Sequence, residues 1–396
     1  MPLVSAATGF AGSLGINTEV ACVLQDEKST RAHISAKNIC FMVYDLFLRY
    51  YKNTDCQFAV NLLRLRHMRK PFVARRLPKL AKKIGARIFF EPEYSFVGQI
   101  TFKNGKKTFF KNIIFDINTQ GAARIAKDKS YASFFLKKFG YQVPRWIAVF
   151  NDAINRNVNR KKDIDTGFAF ARTIGFPVIV KPNDKSMGRG VTKVHTKAEF
   201  YTAARDILKT TGVMQVQQFC EGNDYRIVVL DNEVISAYQR LPLSVVGDGR
   251  STVAKLLIRK QKEFSRKGRG LVITASDKRI RKNLRYHKLT IDSVLQKGLR
   301  LQLLDNANLS TGGDAIDVTQ RIHSSFKKLA IRITHDMGLR LCGVDIITQD
   351  ITKPADHYAI IEINDTPGLD NYSAIGKKQE KIVDELYLKI LKALEK

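Results

Sequence analysis

Three oxygen-bearing side chains in the last third of the chain have the types and spacing for metal chemistry. Glu362 and Asn364 stand two apart in Ile360-Ile361-Glu362-Ile363-Asn364, and Asp345 sits in Gly343-Val344-Asp345-Ile346-Ile347. A period of two places Glu362 and Asn364 on one face of a strand, with Ile361 and Ile363 on the buried face. Acids inside such apolar strands are costly unless paired or metal-bound. Hard oxygen donors on neighbouring strands suit Mg²⁺, which keeps positions open for substrate phosphates. The plainer alternative is a polar face on two edge strands.

A second group could handle phosphate. Lys181-Pro182 ends a buried-type strand, and Asn183-Asp184-Lys185-Ser186-Met187-Gly188-Arg189-Gly190-Val191 follows it. Glycines let backbone N–H groups close on phosphate oxygens, and Lys185 and Arg189 add charge. The segment is neither G-x-x-x-x-G-K-[ST] nor G-x-G-x-x-G, so a basic surface hairpin is the competing reading. Lys129, Arg226 and Arg240 are each a solvated charge when taken alone. Asn306-Ala307-Asn308-Leu309-Ser310-Thr311-Gly312-Gly313 is a polar, glycine-ended loop whose amides and hydroxyls could hold an oxyanion or carboxylate, or only turn the chain.

The elements that must position these residues are short and alternating. Arg87–Phe90 and Phe109–Phe115 read as strands, with Asn104-Gly105 as a hairpin turn between Ile100–Phe102 and Lys107–Phe109. Ile39–Tyr51 is an apolar, helix-like run. Helices are expected at Arg124–Phe139, stopped by Gly140, at Thr166–Ile174, stopped by Gly175, and at Glu199–Leu208, Ser324–Asp336 and Glu380–Leu394. Strands are expected at Phe176–Val180, Met214–Phe219, Tyr225–Leu230, Val234–Tyr238, Leu341–Thr348 and Tyr358–Ile363, with Asp231-Asn232 as a turn. The class is α+β, with antiparallel strands in the second half and no internal repeat.

Composition narrows the class further. The chain has 396 residues, 44% hydrophobic and 26% charged, which is two or three domains' worth. Five scattered cysteines with no CxxC argue against a disulfide framework and a structural zinc site. No apolar run is long enough to span a bilayer, and the start lacks the basic and apolar regions of a secretory signal. A cytoplasmic protein without a membrane role is expected. Sixty-seven basic against thirty-seven acidic residues give a net charge of +30. The excess is local: Arg64–Lys83 holds nine Lys or Arg and no acid, and Lys255–Arg300 holds fifteen against Glu263, Asp277 and Asp292. Such blocks attract polyanions, or are only a solvated surface. Nucleic acid is a possible partner, but no helix-turn-helix, RNP-like strand or zinc finger backs it.

The order of these segments resembles the ATP-grasp carboxylate–amine ligases, within them the ATP-grasp region of cyanophycin synthetase and of the bifunctional glutathione-synthesis enzyme. Val216–Val229 (VQQFCEGNDYRIVV), Arg240–Gly249 (RLPLSVVGDG), Asn306–Thr319 (NANLSTGGDAIDVT) and Gly343–Thr348 (GVDIIT) carry the resemblance, which runs from about Asn118 to the C-terminus. It implies two α/β lobes clamping ATP: a domain of residues 116–396, with lobes 116–216 and 217–396 and a basic insertion at 250–305. A small α/β domain at 1–115, of unassigned role, would precede it.

By the same resemblance, Lys129 and Lys181 would hold ATP phosphates under a loop containing Ser186, Gly188 and Gly190. Gln217, Gln218, Phe219 and Cys220 would form the hinge against adenine, and Asp224 would bind the ribose. Arg226 and Arg240 would stabilise the transferring phosphoryl group. Asn308, Ser310 and Gly312 would line the acceptor side. Asp345, Glu362 and Asn364 would hold two Mg²⁺, with Mn²⁺ able to substitute. Gln217 replaces the usual hinge Glu; its amide oxygen can still accept from the adenine amino group. The second domain of cyanophycin synthetase and the preceding ligase domain of the glutathione enzyme find no counterpart in the sequence, so neither two-step activity is expected whole. The expected reaction joins an amino-acid or peptide carboxylate to an amine through an acyl phosphate, an acidic polymer being one candidate substrate. A nucleic-acid-binding protein with a retained nucleotide fold and a kinase-like phosphotransferase are the alternatives. The oligomeric state is left open.

Overall fold

Helix α1 (Phe72–Lys83) opens the region seen in the computed structural model, which describes residues 70–159, 162–186, 188–266, 269 and 274–396. The apolar run Ile39–Tyr51 and the Arg64–Arg69 part of the first basic block lie outside the described residues. Residues 70–396 form one compact unit. After α1, a meander of β1 (Arg87–Phe90), β2 (Val97–Thr101), β3 (Lys107–Lys111) and β4 (Ile114–Phe115) builds an antiparallel sheet, with Gly105 at φ +81° in the expected hairpin turn. The expected strand Phe109–Phe115 is two strands, because Asn112 turns the chain at φ 52°.

The expected helix Arg124–Phe139 is also two elements. Asp128 adopts extended backbone between α2 (Gln120–Lys127) and α3 (Lys129–Lys138), and its carboxylate accepts from Tyr131 N at 2.9 Å as the N-cap of α3. A cap residue that satisfies the first N–H groups of a helix starts a new one rather than continuing the old.

The small lobe follows: β5 (Trp146–Phe150), α4 (Asp152–Asn155), α5 (Ile164–Ile174), β6 (Val178–Pro182), β7 (Thr192–Val194), α6 (Lys197–Leu208) and β8 (Val213–Gln218). The strands lie in the order β5-β8-β6-β7, each pair antiparallel. Val178 and Val180 of β6 and Met214 and Val216 of β8 pack against Ala171 of α5 and Phe200, Ala204 and Ile207 of α6. By the strand period, Lys181, Gln215 and Gln217 take the opposite face.

The large lobe begins with β9 (Asn223–Leu230), β10 (Glu233–Leu241) and β11 (Ser244–Val246), and passes through α7 (Val253–Arg266), α8 (Lys278–Tyr286) and β12 (Arg300–Gln302). Leu256, Leu257 and Phe264 of α7 and Ile280 and Leu284 of α8 share a core with Leu243 and Val245 at β11 and Leu301 of β12. Then come β13 (Asp314–Asp317), α9 (Ser324–Asp336), β14 (Leu341–Thr348), β15 (Ala359–Asn364), α10 (Asp370–Ser373) and α11 (Lys377–Glu395). The main sheet runs β13-β10-β9-β14-β15, all antiparallel.

One face of that sheet is apolar throughout: Ile227, Val229, Val344 and Ile346 pack on Phe326, Ala330 and Ile333 of α9. The other face is divided. Val228, Leu230, Tyr238 and Leu341 join a core with α11, α1 and the β1–β4 meander. Farther along the same face stand Asp224, Arg226, Arg240 and Asp345. The alternative of two edge strands does not hold for Asp345, since β14 lies inside the sheet with β9 on one side and β15 on the other. No helix of the described residues is long and apolar enough to cross a membrane.

Candidate functional site

Lys181 is 6% exposed and comes from the face of β6 turned away from the small-lobe core. Its Nζ donates to Gln217 Oε1 at 2.9 Å and lies 3.5 Å from the carbonyl of Ile361 on the opposite lobe. Burial pulls the ammonium down to about 8, against the attraction of Glu362. Gln215 is the cross-strand partner of Lys181, and both atoms of its buried carboxamide lack a partner, as does Gln217 Nε2. Three orphaned polar atoms beside Lys181 fit a polar ligand, because an unpaired buried amide carries a full desolvation cost. Gln215 was not singled out from sequence. Its signal was the alternation Met214-Gln215-Val216-Gln217.

Lys129 opens α3, and its Nζ donates to the carbonyl of Lys185 at 2.7 Å and stands 3.1 Å from Glu362 Oε1. Asn183 fixes that position. Its side chain accepts from Ser130 N and Ser130 Oγ and donates to Asp128, and its carbonyl accepts from Lys129 N. The turn that follows carries Ser186, Gly188 and Gly190, with the two glycines at φ +66° and +73°. A Cβ on Gly188 would stand 2.2 Å from Asn306 Nδ2 and 3.0 Å from Asn308 Oδ1, so the turn packs on the loop of the opposite lobe. Beyond β8, Phe219 lies under Lys193, whose Nζ is 3.9 Å from the ring centroid, and Gln218 N donates to the carbonyl of Arg145. Burial pushes the half-buried Cys220 thiol up.

In the large lobe, cross-strand register aligns the charges. Arg226 pairs with Asp345, Asp345 with Glu362, and Asp224 with Arg240. Arg226 grips Asp345 with Nε and Nη2 at 2.6 and 2.7 Å. Arg240 donates Nε and Nη2 to Asp224 at 2.9 and 2.6 Å and reaches Asp345 at 3.0 Å. Burial would raise the Asp345 carboxyl, yet the two guanidiniums hold it below the usual carboxylate range. Asp224, expected at the ribose, has its carboxylate on Arg240. The β14–β15 ladder shifts register between Asp345 and Ile346, a bulge that changes which isoleucines are buried. Ile360 and Ile363 are buried and Ile361 is half-buried, where Ile361 and Ile363 were expected.

Asn308, Ser310 and Gly312, expected on the acceptor side, lie on the 306–313 loop. Leu309–Thr311, with Ser310 in the middle, forms one 3₁₀ turn that Gly312 ends at φ +92°. The Asn308 carbonyl accepts from Thr311 N and Gly313 N. Buried Arg269 braces this loop by donating to the carbonyls of Leu309 and Gly313. Arg269 lies between Gly268 and Gly270 in a basic run, with no pattern to single it out from sequence.

Among the described residues, no cluster of three or more His, Cys, Asp and Glu side chains is placed to hold a metal ion. The donor set still fits a hard cation shared with phosphate. Glu362 faces Asp345 in register, and Asn364, two residues on, gives its amide nitrogen to the Gly343 carbonyl at 3.4 Å. Asp345 faces two guanidiniums and Glu362 faces Lys129, so a cation at Asp345, Glu362 and Asn364 would share these carboxylates with the neighbouring positive side chains.

Residues 135–249 match the family model "D-ala D-ala ligase C-terminus", and residues 299–386 match the RimK-like ATP-grasp domain. Over these two stretches the chain resembles the ATP-grasp ligases. The glutathione biosynthesis bifunctional protein GshAB of Mannheimia succiniciproducens is 37% identical over 205 residues, covering 49% of this chain and 27% of that protein. Cyanophycin synthetase of Crocosphaera subtropica is 33% identical over 258 residues, covering 62% of this chain and 28% of that protein. The crystal structure of a bifunctional glutathione synthetase from Pasteurella multocida superposes with a TM-score of 0.51 at 25% identity, over 81% of this chain and 44% of that one. The chain thus spans little more than a quarter of the length of the curated relatives it matches.

Proposed function

We propose that this chain is an ATP-dependent carboxylate–amine ligase that forms an amide or peptide bond through an acyl phosphate. The observation that carries the reading is convergence. Lys129 and Lys181 of the small-lobe side meet Glu362 and the Ile361 carbonyl of the large lobe, under a glycine turn and beside the Arg226–Asp345–Arg240 row. Lys129 and Lys181 bind triphosphate oxygens. Arg226 and Arg240, held rigid by Asp345 and Asp224, present positive charge where the phosphoryl group passes to the substrate carboxylate. Gln217, Gln218, Phe219 and Cys220 border the base, and Asp224 stands near the sugar. Asn308 and Ser310 orient the acyl group for attack by the amine. Glu362, Asn364 and Asp345 would hold Mg²⁺, which when bound neutralises charge on the phosphates.

The substrates are amino acids or peptides, and the exposed Arg281 and Arg285 of the basic insertion favour an acidic acceptor. The reaction belongs in a reducing cytosol, in keeping with the free thiols of Cys220 and Cys342.

The test is a screen of carboxylate and amine pairs for ADP release, with hydroxylamine as a trap. A hydroxamate formed only with ATP and one carboxylate class is the expected result. Phosphorylation of a hydroxyl with no hydroxamate would replace the ligase with a phosphotransferase, and RNA binding without turnover would remove the enzyme reading altogether.

A further inference from the structure

Helix α8 lies within the insertion of the large lobe, and its two faces have different partners. Ile280 and Leu284 are buried in a core shared with α7, β11 and β12. Arg279, Lys282 and Tyr286, spaced so that they share another face, reach the small lobe. Asp277 takes Arg279 Nε and Nη2 at 3.1 and 2.8 Å and leaves Nη1 to donate to the carbonyl of Gly188 at 3.3 Å. Lys282 Nζ donates to the Lys193 carbonyl at 2.9 Å and pairs with Glu199 Oε2 at 2.9 Å. The Tyr286 hydroxyl donates to the other oxygen of Glu199. Glu199 also accepts from His195 N at 2.9 Å, so one carboxylate at the start of α6 ties α8 to the chain just after the glycine turn.

We propose that α8 is a strap that holds the glycine turn at Gly188–Gly190 shut across the two lobes. Arg279, Lys282 and Tyr286 are positioning residues, and Glu199 is their anchor. The strap must detach for a nucleotide to enter or leave. The gating half of this proposal rests on the reading of the turn as a triphosphate cover; the strap itself rests only on the contacts. A contact made in parallel by half-buried charges and one exposed hydroxyl suits such a device, because it opens without exposing a core.

Hydrogen exchange on the full chain tests the strap without any nucleotide. In Glu199→Gln, in Lys282→Met/Tyr286→Phe and in Tyr286→Phe alone, amides of residues 188–196 should exchange faster, by about fivefold or more in the first two. Amides of β9 and β14, and the melting temperature, should hold. Dissociation of a fluorescent ADP derivative should be about tenfold faster in the first two variants. Combining them should add nothing, since they cut the same contact. Unchanged exchange in folded variants overturns the strap. Faster exchange with an unchanged dissociation rate overturns its gating role. Faster exchange in a protein that binds no nucleotide leaves the strap standing and overturns the nucleotide reading.

Discussion

Lys181 has two opposed pH dependences. Its folded-state value is depressed, so the native protein carries a charged lysine at a cost below about pH 8 and recovers that stability as pH rises through and beyond 8. A triphosphate wants the charged form, so affinity should be flat below about 8 and fall above it. Calorimetry with a non-hydrolysable ATP analogue from pH 7 to 9 should show that fall in the wild type, and Lys181→Met should remove the step while weakening binding at pH 7. A pH profile identical in the two proteins would detach Lys181 from the phosphates. Asp345 and Glu362 should separate just as clearly. Asp345→Asn leaves Arg226 and Arg240 buried without their shared counterion, a loss of about 3–5 kcal/mol, and should be read first in the melting temperature. Glu362→Gln changes a more exposed carboxylate that pairs with Lys129 and attracts Lys181, so stability should fall less than in Asp345→Asn while Mg²⁺-dependent turnover drops at least about tenfold. A fully active, folded Glu362→Gln variant would take Glu362 out of the metal set.

Among elements, the break between α2 and α3 determines where Lys129 points. A continuous helix would carry Lys129 around its axis. Asp128 instead starts a new helix and, through Asn183, ties its first turn to the end of β6 that also bears Lys181. Asp128→Ala should cost about 0.5–2 kcal/mol in the melting equilibrium, as a lost N-cap does. It should also raise the KM for ATP more than it lowers kcat, because the phosphate-binding lysine is freed while the large-lobe row is untouched. A kcat loss with an unchanged KM would place Asp128 elsewhere in the mechanism. The bulge in the β14–β15 ladder is the second decisive element feature. It turns the Ile361 carbonyl toward Lys181 and keeps Glu362 opposite Asp345.

For the molecule as a whole, the charge of +30 is unevenly committed. Arg279 serves Asp277 and Gly188, Lys282 serves Glu199, Lys260 serves Asp314, and Arg269 supports the 306–313 loop. Arg281 and Arg285 stay exposed on α8. With an acidic acceptor, KM should rise with ionic strength in the wild type, since long-range attraction fades over a Debye length of about 8–10 Å. In Arg281→Gln/Arg285→Gln it should start higher and respond less to salt. Superimposable salt curves would return the basic block to a surface property.

Local chemistry made much of this protein legible in its sequence. Period-two apolar strands, Gly140 and Gly175 as stops, and the ordered segments from Lys129 to Asn364 gave the α+β class, most elements and the ATP-grasp resemblance. These depend on residues close in the chain. What failed depended on competition between local options. Asp128 could sit inside a helix or cap one, and Asn112 and Ile361 could continue a strand or break it; only packing chose. Partnerships lay further out of reach. That Arg226 and Arg240 share Asp345, that Lys181 occupies the oxygen of Gln217, and that α8 fastens to Glu199 are facts of strand order and lobe approach. A sequence records the type of each charge, but its counterion is decided by which distant strands become neighbours.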